Sequence, residues 1–398
     1  MFNQITEKIR KKIAESWLSI LVVFMLAGTS LTKVVVDRKK TNEFFELYGI
    51  EVHLSTLVLS LVYAIILYEF IRLWKNVGYF LIILSIFLIG LLFNFQIIGN
   101  QELAGRIFFA SKFVFLFMAV PVFRNMSKYQ LINAENILVF FGKFNLILII
   151  IGLIFGIEIL RSYPYSERFG YNGLIVLQGM GSFIYNLLII RSYYRFINLR
   201  GSIYELLMFV IASLLLGTKA VLLLLFLLVF YHFFFVQKRK IVKIWVAFST
   251  LLSLLMIRPI LDVYVKIFPF GEELINRYGY MTFLTSKRTL NIEKTMNYVQ
   301  TNWNWDDYLF GNINPKAYLV ESSIPDLFFF FGIAGLLVFI FFFKQMYFSV
   351  FENTHIKVLL AIFLVTAMLA GGFFYSVFNV IIFVLVFEVF ASCINFSK

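Results

Sequence analysis

The sequence predicts an all-α polytopic membrane protein with about 12 transmembrane helices, and three observations carry that prediction. Of the 398 residues, 61% are hydrophobic and only 14% are charged, whereas a soluble domain carries about 25% charged residues. The mean hydropathy is +0.88. Runs such as LLLLFLLVF recur along the chain with 51 Phe in total, more than a globular core of this size uses.

A membrane crossing needs about 20 mostly apolar residues. Such runs fall at 17–36, 52–73, 77–98, 107–123, 137–157, 173–190, 203–217, 220–236, 241–261, 326–343, 357–374 and 376–395. Two divisions rest on short breaks, Gly217-Thr218-Lys219 and Gly371-Gly372. Reading either as a kink leaves 11 spans. No short apolar region followed by a cleavage site opens the chain, so the first span is expected to act as an uncleaved signal. No repeat, linker or second domain is visible, and 1–398 reads as a single membrane domain.

Lys and Arg favour cytoplasmic loops. An inside N-terminus puts Lys8, Arg10, Lys11, Lys12 and the QKRK at 237–240 in the cytoplasm and leaves fewer cations outside. VDRKK at 36–40 is an exception, partly balanced by Asp37, Glu43 and Glu46. The expected orientation is N-in/C-in. The net charge of +13 then reflects topology and attraction to anionic headgroups. Nucleic acid is not an expected partner, since no exposed basic domain exists to hold it.

This orientation leaves two notable outer segments. The small one is 158–172, EILRSYPYSERFGYN; the large one is 263–325, between spans nine and ten. Within the large loop, NIEKTMNYVQTNW reads as a helix capped by Thr289 or Asn291. NWDDYLFGNINPK reads as irregular. The single cysteine, Cys393, permits no disulfide within the chain. There is no CxxC, no HExxH and no Cys/His cluster with metal-ligand spacing.

An outer membrane face holds no ATP, so a transferase there needs an activated donor, usually a sugar on a polyprenyl diphosphate. Arg meets diphosphate with a planar, bidentate fork. Arg or Lys must also stabilise charge on the departing diphosphate, and the acceptor hydroxyl needs a base. The outer cations that fit diphosphate binding are Arg161, Arg168, Lys219, Arg277 and Arg288. Plainer readings compete: solvated loop cations for Arg161 and Arg168, snorkelling for Lys219, an ion pair with Glu272 or Glu273 for Arg277. Glu321, just before span ten, is the candidate base, and partial burial there would strengthen it. Asp326 is a competing carboxylate and a competing helix cap.

Trp303, Trp305, Tyr308 and Tyr318 are candidates for sugar contact, against the plainer reading of an interfacial aromatic belt. Asp306-Asp307 lacks the spacing of a metal-binding Asp-x-Asp and reads as a loop or cap feature. His53, His232 and His355 read as structural. Lys112 and Lys143, inside spans, read as snorkelling or as internal polar contacts.

In order and topological placement these elements resemble the Wzy-type O-antigen and capsular-polysaccharide polymerases, cousins of the O-antigen ligases. Architecture resembles that family along the whole chain, and sequence detail does so from about 158 to 343. Arg168 through Gly179 has the Arg-x10-Gly spacing of the family's small outer loop. GTKA at 217–220 stands for a Ser-Arg-Gly-like element, with Lys in place of Arg. SKR at 286–288 approximates the Ser-Gly-Arg of the large loop. Phe310-Gly311 and the Gly332-Ile333-Ala334-Gly335 helix follow. A second Arg-x10-Gly is absent: Arg288 follows Arg277 at that distance, and Val299 follows Arg288. The ligases carry a His where this chain has Glu321.

The resemblance implies a membrane glycosyltransferase on the outer face of the bacterial cytoplasmic membrane. It would polymerise undecaprenyl-diphosphate-linked repeat units into O-antigen or capsular polysaccharide. Glu321 would be the base, and Arg168 and Arg288, with Lys219, would hold the leaving diphosphate. The expected chemistry is inverting, with no cofactor or metal demanded by the motifs. The implied partners are lipid-linked glycans, membrane lipids, a chain-length regulator and a flippase. The rivals are a ligase acting on lipid-A core and a lipid-linked-sugar flippase. Transporters typically place ionisable groups at the midplane, whereas polar residues here concentrate in one outer loop.

Overall fold

The computed structural model describes residues 2–35, 45–47, 50–52, 54–73, 77–94, 100–164, 168–241, 243–244 and 269–394. Nearly all of the predicted span 241–261, the VDRKK segment and the first residues of the large loop lie outside the described residues.

The described chain is nearly all helical. Its first half contains α1 (Phe2–Val35), α2 (Leu54–Leu73), α3 (Gly78–Asn94), α4 (Asn100–Arg124) and α5 (Lys128–Phe155). Then come α6 (Gln178–Asn198), α7 (Ile203–Leu215) and α8 (Lys219–Tyr231), which runs on through a π-turn at His232–Val236. The large loop holds α9 (Pro269–Leu284), α10 (Arg288–Asn302), α11 (Trp305–Phe310) and α12 (Pro315–Tyr318). The chain closes with α13 (Ser323–Phe343), α14 (Thr354–Ala370) and α15 (Val377–Ile394). Among the described residues the only sheet is a two-stranded antiparallel hairpin, β1 (Phe45–Leu47) and β2 (Ile50–Val52).

Among the described residues, six stretches are long and apolar enough to cross a membrane: Ser16–Val34, Ser55–Leu73, Leu103–Arg124, Lys128–Phe155, Lys219–Val236 and Ser323–Phe348. Shorter apolar helices lie at Gly78–Phe93, Ile203–Leu215, Thr354–Met368 and Val377–Ser392. The protein is thus an all-α chain built for a membrane. Both of the weak divisions in the sequence are breaks between helices. One falls between α7 and α8, the other between α14 and α15.

Two helices form the inside of the bundle. Every residue of α15 from Val377 to Phe390 is buried, as is every residue of α6 from Met180 to Tyr194. α15 is apolar almost all round, as a helix enclosed by others should be. α6 is not, which is why hydropathy alone misplaces it at 173–190. Several of its polar groups are matched inside the protein: Ser182 donates to the Gln178 carbonyl at 3.1 Å, and Arg191 contacts Glu135 and Glu205 at 3.1 and 2.5 Å. Buried polar groups of this kind need such partners.

The high Phe content serves the contacts between helices. In a bilayer, helix association relies on close packing rather than on expulsion of water. Ring pairs such as Phe113–Phe330 (5.6 Å, stacked), Phe117–Phe339 (4.9 Å) and Phe363–Phe383 (5.3 Å, stacked) tie α4 to α13 and α14 to α15.

Contacts between loops sort into two sets. Segments assigned outside meet one another: Lys33 donates to the Gly173 carbonyl (2.6 Å), Arg106 to Asn312 (2.5 Å) and Lys219 to the Phe283 carbonyl. Residues assigned inside meet neighbouring spans: Arg124 pairs with Glu388 of the last span (3.1 Å), and His355 bonds Tyr231.

Local expectations in the large loop need two corrections. The helix after the SKR element begins at Arg288, and the residue before it, Lys287, is left-handed (φ 69°) and caps nothing with its side chain. Thr289 and Asn291 therefore sit inside the first turns. The irregular segment contains α11, whose start Asn304 and Asp307 close with a reciprocal capping box. The reading of Asp307 as a cap residue thus fits, and the reading of 304–316 as wholly irregular does not.

Candidate functional site

The small outer loop is fastened to the α7–α8 break by backbone contacts. The amide of Ser162 donates to the Gly170 carbonyl (2.8 Å), that of Tyr171 to the Leu215 carbonyl (2.8 Å), and the Ser162 hydroxyl to the Leu216 carbonyl (3.0 Å). Gly217 turns the chain with φ 69°, and a Cβ there would stand 2.3 Å from the Phe169 carbonyl oxygen. Only glycine tolerates both the left-handed turn and the approach. The consequence is local: Arg168 and Lys219 are brought to one place.

Lys219 opens α8. Its ammonium donates to the Phe283 carbonyl and lies 3.9 Å from the centroid of that ring. Phe283 belongs to the turn that delivers Arg288. In that turn the Lys287 amide donates to the Thr282 carbonyl (2.9 Å), and Ser286 and Lys287 are both left-handed (φ 55° and 69°). Two adjacent non-glycine residues in this region are sterically costly, about 1–3 kcal/mol each. Strained geometry of this kind clusters at functional sites.

Glu321 is held by a different device. The buried Asp326 carboxylate accepts the amides of Val320 (2.9 Å) and Ser322 (3.0 Å), one on each side of Glu321. The Ser322 and Ser323 hydroxyls donate to the Met368 and Ala367 carbonyls at the end of α14. Glu321 itself is left-handed (φ 60°). Ser322 is the N-cap of α13, Asp326 in its first turn holds the entering chain, and Glu321 is the carboxylate left exposed.

These elements surround a cavity of about 1270 Å³. Arg168, Lys219, Arg288 and Glu321 all line it, as does Gly179 of the Arg-x10-Gly spacing. Lys33, Lys112 and Lys287 add further cations, and Glu321 is the one carboxylate among the lining residues. The Arg168 guanidinium lies 5.2 Å from the Tyr163 ring centroid. Burial pulls the Arg288 guanidinium below its ordinary value, and the charge of Glu321 opposes that most strongly. Burial and the nearby carboxylates of Asp326 and Glu321 push the Tyr375 hydroxyl well above its ordinary value. Tyr375, also in the cavity wall, is therefore a neutral hydrogen-bond donor. A cavity with many cations, one acid and apolar walls suits an anionic amphiphile.

Other predicted residues lie elsewhere. Arg161 is not a lining residue; it forms an ion pair with Glu158 (2.8 Å) and a bridge with Tyr171 that brace the loop. Arg277 is exposed on α9 and does not line the cavity. Trp303 is buried against Tyr308, Phe328 and Phe329. Trp305 is 70% exposed, with its ring edge toward Phe93. Tyr318 stacks on Tyr298 at 4.4 Å. None of the four aromatic candidates lines the cavity. The expected partial burial of Glu321 is also not found, since its side chain is exposed.

Sequence reasoning passed over Lys33, Lys112 and Tyr375 as site residues. Lys112 carried a signal, a charge inside an apolar run. Tyr375 carried none beyond its place after the Gly371-Gly372 break. Comparison with protein-family models, with curated proteins and with solved structures found no match.

Proposed function

We propose that this chain is a membrane glycosyltransferase that polymerises lipid-linked oligosaccharide repeats on the outer face of the bacterial cytoplasmic membrane. The donor is a glycan on undecaprenyl diphosphate, and the acceptor is a single lipid-linked repeat. Glu321 takes the proton from the acceptor hydroxyl. That oxygen bonds to the donor's anomeric carbon as the bond from carbon to diphosphate oxygen breaks. The electron pair leaves with undecaprenyl diphosphate, whose growing charge Arg168, Lys219 and Arg288 stabilise. One in-line displacement inverts the anomeric centre.

The observation that supports this reading is the shared cavity. Cations from the small loop, the start of α8 and the large loop line one space with a single carboxylate. A loop cation that served only solubility would have no reason to converge with the others. Purified protein in liposomes, supplied with lipid-linked repeats alone, tests the reading. Stepwise growth of the glycan supports it. Inertness until lipid-A core is added identifies a ligase, and movement of the lipid across the bilayer without growth identifies a flippase.

A further inference from the structure

Ions in the helix interiors of this protein carry protein partners. Arg191 contacts Glu135 and Glu205, Lys143 contacts Glu205 at 2.7 Å, and Arg124 contacts Glu388. Lys112 on α4 differs. Among the described residues its ammonium makes no ion pair or hydrogen bond, and it rests over the rings of Phe108 (4.0 Å) and Phe109 (5.0 Å). It also faces the cavity.

Its place makes this informative. Lys112 lies within the apolar stretch Leu103–Arg124, and its side chain leans toward the start of that stretch, with the ammonium over Phe108. A charge within an apolar span is costly, a few kcal/mol at the centre of a bilayer, and such charges mark substrate paths when they face a cavity. Neutral donors line the same cavity. Tyr63 on α2 meets Phe115 at 5.2 Å, and Phe115 lies three residues beyond Lys112 on the same face of α4. Tyr63 and Ser60, one turn apart, both line the cavity.

We infer that Lys112 forms a second anion subsite in the cavity wall, beside the set of Arg168, Lys219 and Arg288, with Tyr63 and Ser60 as the neutral donors that the same wall offers. Its ligand is a phosphate or carboxylate group of a membrane-delivered substrate, on the carrier or on a sugar. The subsite completes the electrostatics of a cation that has no counter-charge among the described residues. It goes beyond the transferase reading, because it requires only that the cavity take an anionic substrate.

The test is calorimetric binding to the full-length protein in nanodiscs, with inorganic diphosphate and with glucuronate as separate probes. Lys112→Met keeps the stem and removes the charge; Lys112→Arg restores the charge. Lys112→Met is expected to weaken at least one probe by about 10-fold or more, the size of a lost charge-assisted hydrogen bond. Lys112→Arg is expected to recover most of that loss. A loss confined to diphosphate assigns the group to phosphate, and a loss confined to glucuronate assigns it to a carboxylated sugar. Unaltered binding of both probes by Lys112→Met overturns the inference, as does failure of the wild type to bind either. Should Lys112→Met not fold, Lys112→Gln takes its place. Absence of glycan growth with Lys112-dependent binding intact strikes the transferase reading alone.

Discussion

Two charged regions of the molecule solve opposite problems. In the network joining α5, α6 and α7, Arg191 contacts Glu135 and Glu205, and Lys143 contacts Glu205. Two cations meet two carboxylates, and Arg191 is only 1% exposed. In the cavity, six lining cations face one carboxylate. The first region is neutral and closed; the second is cationic and open. Charge that holds the fold together is matched within the chain, whereas the charge lining the cavity is in excess, as the proposed anionic substrate requires.

Substitutions can break or sharpen that contrast. The largest effect is expected in the closed network. Arg191→Ala leaves the buried Glu135 carboxylate without its ion pair, a loss of about 3–5 kcal/mol, and thermal unfolding in detergent should show little folded protein. Equal stability of this variant and the wild type would remove the distinction between the regions. In the open region Glu321→Gln should retain the wild-type melting temperature and lower glycan growth by about 10²–10⁴-fold. Unchanged turnover would dismiss Glu321 as the base.

An intermediate effect is expected at Gly371. A Cβ there would stand 1.5 Å from the Glu321 carbonyl oxygen, and the residue has φ 72°. Gly371→Ala should cost about 1–3 kcal/mol and reduce turnover by displacing the Glu321 turn; paired melting and growth assays would show both. The smallest effect belongs to Arg161. Its pair with Glu158 is partly exposed, at 21% and 44% for the two side chains, so Arg161→Ala should change stability by at most about 1 kcal/mol. Growth kinetics should not move, and a large rise in KM would return Arg161 to the site.

The helices were legible because crossing a bilayer demands long apolar runs, and those runs are local. α3, α13 and α15 lie close to where hydropathy puts them. α6 was displaced because its polar residues face protein rather than lipid, a fact set by α5, α7 and α8. Within the site, Arg168, Lys219 and Arg288 were legible from charge and spacing on the outer segments. Lys112 and Tyr375 were not singled out, since their membership depends on the gap enclosed by α1, α2, α4 and the α14–α15 turn. Trp303 misled for the same reason: a large ring in a polar loop serves ligand or loop core equally well until the partners Phe328 and Phe329 are in place.

The clasp between the small loop and the α7–α8 break has a thermodynamic consequence. With Gly170 against Leu216 and Gly217 against Phe169, Arg168 and Lys219 hold their mutual spacing before any substrate arrives. The ordering entropy of gathering two long cationic side chains into one neighbourhood is already lost when the chain folds. In the proposed reaction a diphosphate would meet a seat rather than assemble one, and preorganisation of that kind raises affinity without adding a single contact.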